Sequence, residues 1–267
     1  KRPAVRSLQL SPNGKLLGAM IPVDNARNVV GVIDLETLQV KAAAQLRAPD
    51  ETFAGFTWVN DRYLVLAYAK RFGGFAQPFR TGELASMDME TGRVKYIFGY
   101  RGDMQTGSRI DKAGGENAAA FVIADLPGKE SEILVQVVPF GASETSELRK
   151  LDVRTGRTRV LTRAPVRNGN FVVDHAGEVR LALGAARFGE SKAFQRVDGE
   201  WRPWPEAHSG GRTFTPLTFS SDNQQLYARV SHAEGPDSVV RIDLADGTET
   251  TIYRGSADPE WQMATAV

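Results

Sequence analysis

Cysteine is absent from the chain, which excludes disulfides, thiolate metal sites and a cysteine nucleophile while leaving the compartment open. Histidine is nearly as scarce. Only His175, His208 and His232 are available as imidazole bases or metal ligands, and no two of them have a metal-ligand spacing. Neither sign of charge prevails, since 33 Lys and Arg stand against 32 Asp and Glu for a net charge of +1. No general field therefore draws the chain to nucleic acid or to an anionic membrane, and neither is expected as a partner. Long apolar runs are missing too. The longest, residues 16–23, is interrupted by Gly18 and Pro22 and falls far short of the roughly 20 residues that a membrane helix needs. Helical periodicity is wanting throughout, with one weak stretch at residues 116–124.

The sequence instead contains a repeat. An apolar strand, a short turn and a second strand recur in LQLSPNGKLLGAM, FTWVNDRYLVLAY, VIADLPGKESEILVQVV, FVVDHAGEVRLAL and LTFSSDNQQLYARV. Comparable turn positions, Pro12, Asn60, Pro127, Asp174 and Ser221, lie 48, 67, 47 and 47 residues apart. A second marker keeps step with the first: VIDLETLQV, SMDMETGRV, KLDVRTGRT, RVDGEWRP and RIDLADGTE place Asp34, Asp88, Asp152, Asp198 and Asp243 at intervals of 54, 64, 46 and 45. An Asp closely followed by Thr-Gly or Asp-Gly is hairpin chemistry, because glycine accepts the positive φ that tight turns require. Asp34, Asp88, Asp152 and Asp243 are expected to cap these turns, with carboxylate metal binding in a channel as the weaker alternative.

Each unit reads as four short strands, and a four-strand unit of this length is the size of one propeller blade. The expected architecture is all-β, an incomplete β-propeller of four-stranded antiparallel blades at residues 5–46, 56–102, 120–165, 169–207 and 214–255, with 256–267 beginning a sixth. A pair of β-sandwiches is the alternative. Residues 99–119, with five glycines and scattered charges, read as a loop insertion that lengthens the second interval. The basic run from Arg149 to Arg167 reads as a solvated strand face, since Arg157, Arg159 and Arg163 share one parity. Trp58, Trp201, Trp204 and Trp261 are expected to pack between blades.

In their combined order, LSPNGKLLGA with VIDLETLQV, FTWVNDRYLVL with QPFRTGELASMD, ADLPGKESEILVQVVPFG and PVRNGNFVVDHAGEVRLALG resemble the N-terminal propeller of prolyl oligopeptidase family serine peptidases. The likeness is to the bacterial dipeptidyl-peptidase and acylaminoacyl-peptidase-like branch, and it covers essentially the whole chain. It implies a propeller, usually of seven blades, seated over a C-terminal α/β-hydrolase domain that carries the catalytic serine, aspartate and histidine. That domain is expected to be missing from this chain, which has no Gly-x-Ser-x-Gly elbow. The nearest approaches, Gly189-Glu190-Ser191-Lys192-Ala193 and Gly141-Ala142-Ser143-Glu144-Thr145, lack the last glycine, and both serines are placed in loops.

The expectation that follows is a non-catalytic domain, without cofactor or metal, that gates and positions short peptides for the missing hydrolase domain of the same parent. A stand-alone propeller binding proteins or peptides is the alternative, and a metal-dependent propeller enzyme is a third. The partner- or substrate-facing residues are sought in the glycine-interrupted stretch 70–80, at Arg71, Phe72, Phe75, Phe79 and Arg80, where exposed rings gain little unless something covers them. A cut ring would expose a blade edge and favour self-association. The resemblance points to the periplasm, with the cytoplasm as the alternative.

Overall fold

The computed structural model describes residues 5–24, 27–73, 77–101, 111–112, 115–126, 128–141, 145–185, 191–205 and 212–255. Among these there is no helix, and hence none able to cross a membrane. The strands form five antiparallel sheets, each with its four main strands side by side in chain order. Sheet 1 holds β1 (Ser7–Leu10), β2 (Leu16–Pro22), β3 (Asn28–Asp34) and β4 (Val40–Ala44). Sheet 2 holds β5 (Glu51–Trp58), β6 (Tyr63–Lys70), β7 (Phe79–Asp88) and β8 (Val94–Phe98), and adds β9 (Asp111–Lys112) parallel to β8. Sheet 3 holds β10 (Ala118–Asp125), β11 (Glu132–Pro139), β12 (Glu147–Asp152) and β13 (Thr158–Arg163). Sheet 4 holds β14 (Asn170–Val173), β15 (Val179–Ala185), β16 (Ser191–Val197) and β17 (Glu200–Pro203). Sheet 5 holds β18 (Phe214–Phe219), β19 (Gln225–Val230), β20 (Ser238–Asp243) and β21 (Glu249–Arg254).

Three expectations are corrected here. The first strand of sheet 2 starts at Glu51, before the expected boundary at residue 56. The insertion at 99–119 is not all loop, since Asp111 and Lys112 pair with Lys95 and Tyr96. The stretch 116–124 is not helical. Its run of alanines has helix propensity, but pairing with β11 and burial of Ala118, Ala119 and Ala120 override it.

The turns show why the sequence marker works. The carboxylates of Asp34 and Asp152 each accept two backbone N–H groups of their own turn, from Glu36 and Thr37 and from Arg154 and Thr155, while Asp88 and Asp243 hold Glu90 and Ala245. Asp198 departs from this pattern. It adopts φ 52° beside Gly199 at 83°, the geometry of a two-residue hairpin turn. The other marker is a second local device: Asn13, Asn60, Asp174 and Asp222 each accept backbone N–H groups within their turns.

The chain divides into two compact units, residues 1–164 and 165–267. In the first, β3 packs against β5 and β7 against β10. One core joins sheets 1 and 2 through Val30, Val32, Phe53, Phe56, Leu64 and Leu66; another joins sheets 2 and 3 through Val65, Leu84, Ile97, Ile133, Val135 and Leu151. In the second unit, Leu181, Trp204, Phe214, Leu226, Val240 and Ile242 join sheets 4 and 5. Trp58 and Trp204 serve between sheets as expected: Trp58 Nε1 donates to Gln9 O at 3.2 Å, and Trp204 lies 5.2 Å from Phe214. The Trp201 ring lies 6.2 Å from that of Phe171 in its own sheet. Trp261 lies outside the described residues.

Candidate functional site

Strand pairing fails in one place that sets sheet 2 apart. Between second and third strands, β2 with β3, β11 with β12, β15 with β16 and β19 with β20 keep register throughout. Between β6 and β7 the register shifts. Ala67 faces Leu84 and Ala69 faces Arg80, so Thr81, Gly82 and Glu83 stand against Tyr68 alone. Such bulges re-aim side chains and gather near functional sites. Gly82 is what makes this one possible: its φ is +75°, and a Cβ there would lie 2.2 Å from that of Ala119 on β10.

The bulge turns Glu83 fully inward, with 0% exposure. A carboxylate so buried needs a partner. Arg101 supplies it, donating to Glu83 through Nε and Nη2 and to Glu51 through Nη1. Tyr96 Oη donates to Glu83 Oε1 at 2.7 Å. The Arg101 guanidinium also lies over the rings of Tyr68 and Tyr100, at 5.9 and 5.8 Å. Gly99 admits this arrangement, since a Cβ there would meet Tyr96 Oη at 2.2 Å. Burial, and then the Glu83 carboxylate, push both the Tyr96 and Tyr68 phenols well above their usual range. Burial acts against the charge of Arg101, but hydrogen bonding and attraction to Glu83 and Glu51 prevail and raise it. Beside them Lys70 Nζ meets Asp50 Oδ2 at 3.2 Å, and that hydrogen bond holds the Asp50 carboxyl below its ordinary value.

Between β5–β7 and β10 lies a cleft of about 90 Å³ lined by Phe56, Val65, Tyr68, Arg80, Glu83 and Phe121, among others. The exposed Arg80 side chain has neither a hydrogen-bond nor an ion-pair partner among the described residues. It lies along Gly55, where a Cβ would come within 3.4 Å of its Nη2. Its guanidinium can take a planar anion, while Phe56, Val65 and Phe121 offer an apolar wall.

Of the residues singled out in the sequence, Phe72, two residues past the end of β6, and Phe79, the first residue of β7, are 49% and 52% exposed. Phe79 and Arg80 are not in that loop. They open β7, opposite Lys70 and Ala69, because the glycines at 73 and 74 precede the strand rather than interrupt it. Arg71 is half-buried and its backbone N–H donates to Asp50 O at 2.7 Å. Phe75 lies outside the described residues. The structure thus brings Arg80 into the cleft beside Glu83, with Phe72 and Phe79 at the same end of the sheet. Sequence reasoning missed Glu51, Glu83, Tyr96 and Arg101. One signal was available: Gly82-Glu83 sits inside the apolar end of a strand, where a charge needs a reason.

The remaining candidates are dispersed. His175 is exposed in its turn, with Nε2 3.0 Å from Phe219 O, and His232 Nε2 lies 2.8 Å from Ser238 Oγ. His208 and Ser143 lie outside the described residues, and Ser191 opens β16 rather than sitting in a loop. Among the described residues, no three His, Asp or Glu side chains gather as a metal ion would need.

No protein-family model and no curated protein matches the chain. Solved structures do. The β-propeller domain of the trilobed protease from Pyrococcus furiosus matches with a TM-score of 0.56 and 14% identity, over 94% of this chain and 70% of that one. The acylaminoacyl peptidase of Pyrococcus horikoshii matches with a TM-score of 0.55 and 16% identity, over 95% of this chain, which spans 39% of that one. The fold is therefore that of an all-β propeller, with five sheets of four antiparallel strands as its blades. Of these two similar structures one is the propeller domain of a protease and the other a peptidase, and at these identities the likeness is one of fold.

Proposed function

We propose that this chain is the propeller portion of a serine peptidase of the prolyl oligopeptidase type, and that it gates and positions short peptides for a hydrolase domain elsewhere in the parent protein. The observation that carries the reading is the end of sheet 2, where a break in strand pairing found in no other second-to-third strand pair among the described residues places Arg80 in a cleft beside exposed Phe72 and Phe79. The fold likeness to peptidase propellers supports it. Chemistry by a serine nucleophile belongs to the hydrolase domain in this reading, and the propeller acts by orientation and exclusion. The test is to read the gene beyond Val267 and treat the intact parent and this chain with a fluorophosphonate. Labelling of the parent at a downstream Gly-x-Ser-x-Gly serine, with this chain unlabelled, is expected. A gene without such a segment, or stoichiometric labelling of Ser143 or Ser191, overturns the reading.

A further inference from the structure

We propose that the cleft beside Arg80 is a carboxylate subsite, which binds the carboxylate of a small ligand by its guanidinium and the ligand's apolar body against Phe56, Val65 and Phe121. Three observations and one property of the arginine side chain converge on it. The Arg80 side chain is an exposed cation without a partner among the described residues, and it lies along Gly55 at the cleft. Its planar fork matches a carboxylate with two parallel hydrogen bonds. Glu83, the acid lining the same cleft, is fully buried and already accepts from Arg101 at both oxygens and from Tyr96 at Oε1, so its charge is met within the protein. The cleft is also built rather than incidental. It exists because β7 carries two surplus residues against β6 and because Gly82 lets β7 approach β10.

Its volume admits a chain terminus or a side chain and excludes a folded segment. That the carboxylate is the C-terminus of a short peptide rests on the proposed peptide-positioning role; that a carboxylate binds does not. A free small acid with an aromatic or branched body has the same chemistry, and the experiment separates the two sources.

Calorimetric titration of this chain with the tripeptide Ala-Ala-Phe, its C-terminal amide, 3-phenylpropionate and 3-phenylpropionamide reads the site directly. Both acids, or 3-phenylpropionate alone if the source is a free acid, are expected to bind at millimolar concentration or better, and the amides roughly tenfold or more weakly. Arg80→Gln is expected to abolish the difference between acid and amide and Arg80→Lys to restore part of it. The melting temperature of Arg80→Gln is expected to be unchanged, since the Arg80 side chain has no partner among the described residues and its backbone pairing with Ala69 is kept. Equal binding of acid and amide, undiminished binding by Arg80→Gln, or no binding of either acid overturns the proposal. Because none of these readouts uses peptidase activity, the subsite can fail while the peptidase reading stands, and the reverse.

Discussion

Sheets 2 and 3 solve the same problem in different ways. Each buries a glutamate on its third strand, Glu83 midway along β7 and Glu147 at the start of β12, and meets it with arginine. In sheet 3 the β11–β12 ladder is regular, and Arg149 bridges Glu147 at 2.7 Å and Glu116 at 2.7 and 2.8 Å, with Arg163 on Glu147 at 2.8 Å. In sheet 2 the β6–β7 ladder is broken, Glu83 is carried deeper, and a cleft remains beside it. A regular ladder with partly solvated charges makes a brace. A bulged ladder with a fully enclosed charge makes a cavity and a dependence on one distant arginine.

The largest effect should come from breaking that dependence. Arg101→Met leaves Glu83 buried and uncompensated and is expected to cost about 3–5 kcal/mol in urea unfolding, and adding Glu83→Gln should recover much of it. An Arg149→Met loss equal to that of Arg101→Met would erase the contrast between the two sheets. Next comes Gly82→Ala, where a strained φ costs about 1–3 kcal/mol and the contact with Ala119 adds to it. Gly92→Ala is the control: φ is +67° but nothing lies within 4 Å, so about 1 kcal/mol is expected.

Acid should act on the brace of sheet 3. Burial works against ionised Glu147, but Arg149 and Arg163 prevail and hold its carboxyl below the ordinary value of 4.5. The folded state therefore binds fewer protons than the unfolded one. This contribution is fully present above pH 4.5 and is lost as pH falls through the depressed folded-state value. Glu147→Gln should flatten that part of the stability profile measured by thermal melting, and an unchanged acid limb would show that the pairs contribute nothing net. The smallest effect on stability is expected from Phe72→Ser, within about 0.5 kcal/mol by urea unfolding, because the ring is half exposed. On the proposed peptidase reading, the same change in the intact parent is expected to alter peptide turnover more than stability.

What the sequence made legible was local. Asp34, Asp88, Asp152 and Asp243 announce their turns because the groups they bind lie two or three residues on, and repetition of those turns reveals the sheets. The site was half legible. Phe72, Phe79 and Arg80 stood out by composition, but Arg101 meets Glu83 from 18 residues away, and no spacing rule links a loop arginine to a strand glutamate. The bulge was hidden as well, because it is a property of two strands together and neither β6 nor β7 shows it alone.

Within each compact unit, the turns that open neighbouring sheets also hold one another. Asn13 N–H donates to Asp61 Oδ1, Asn60 Nδ2 to Glu130 O, and His175 N–H to Asn223 Oδ1. The turn of sheet 2 is acceptor toward sheet 1 and donor toward sheet 3, so it carries both halves of a coupling in four residues. A gene duplication that copied this unit would deliver a blade with its fastening on each side already in place. Such a protein can lengthen or shorten by whole blades without having to evolve a new joint.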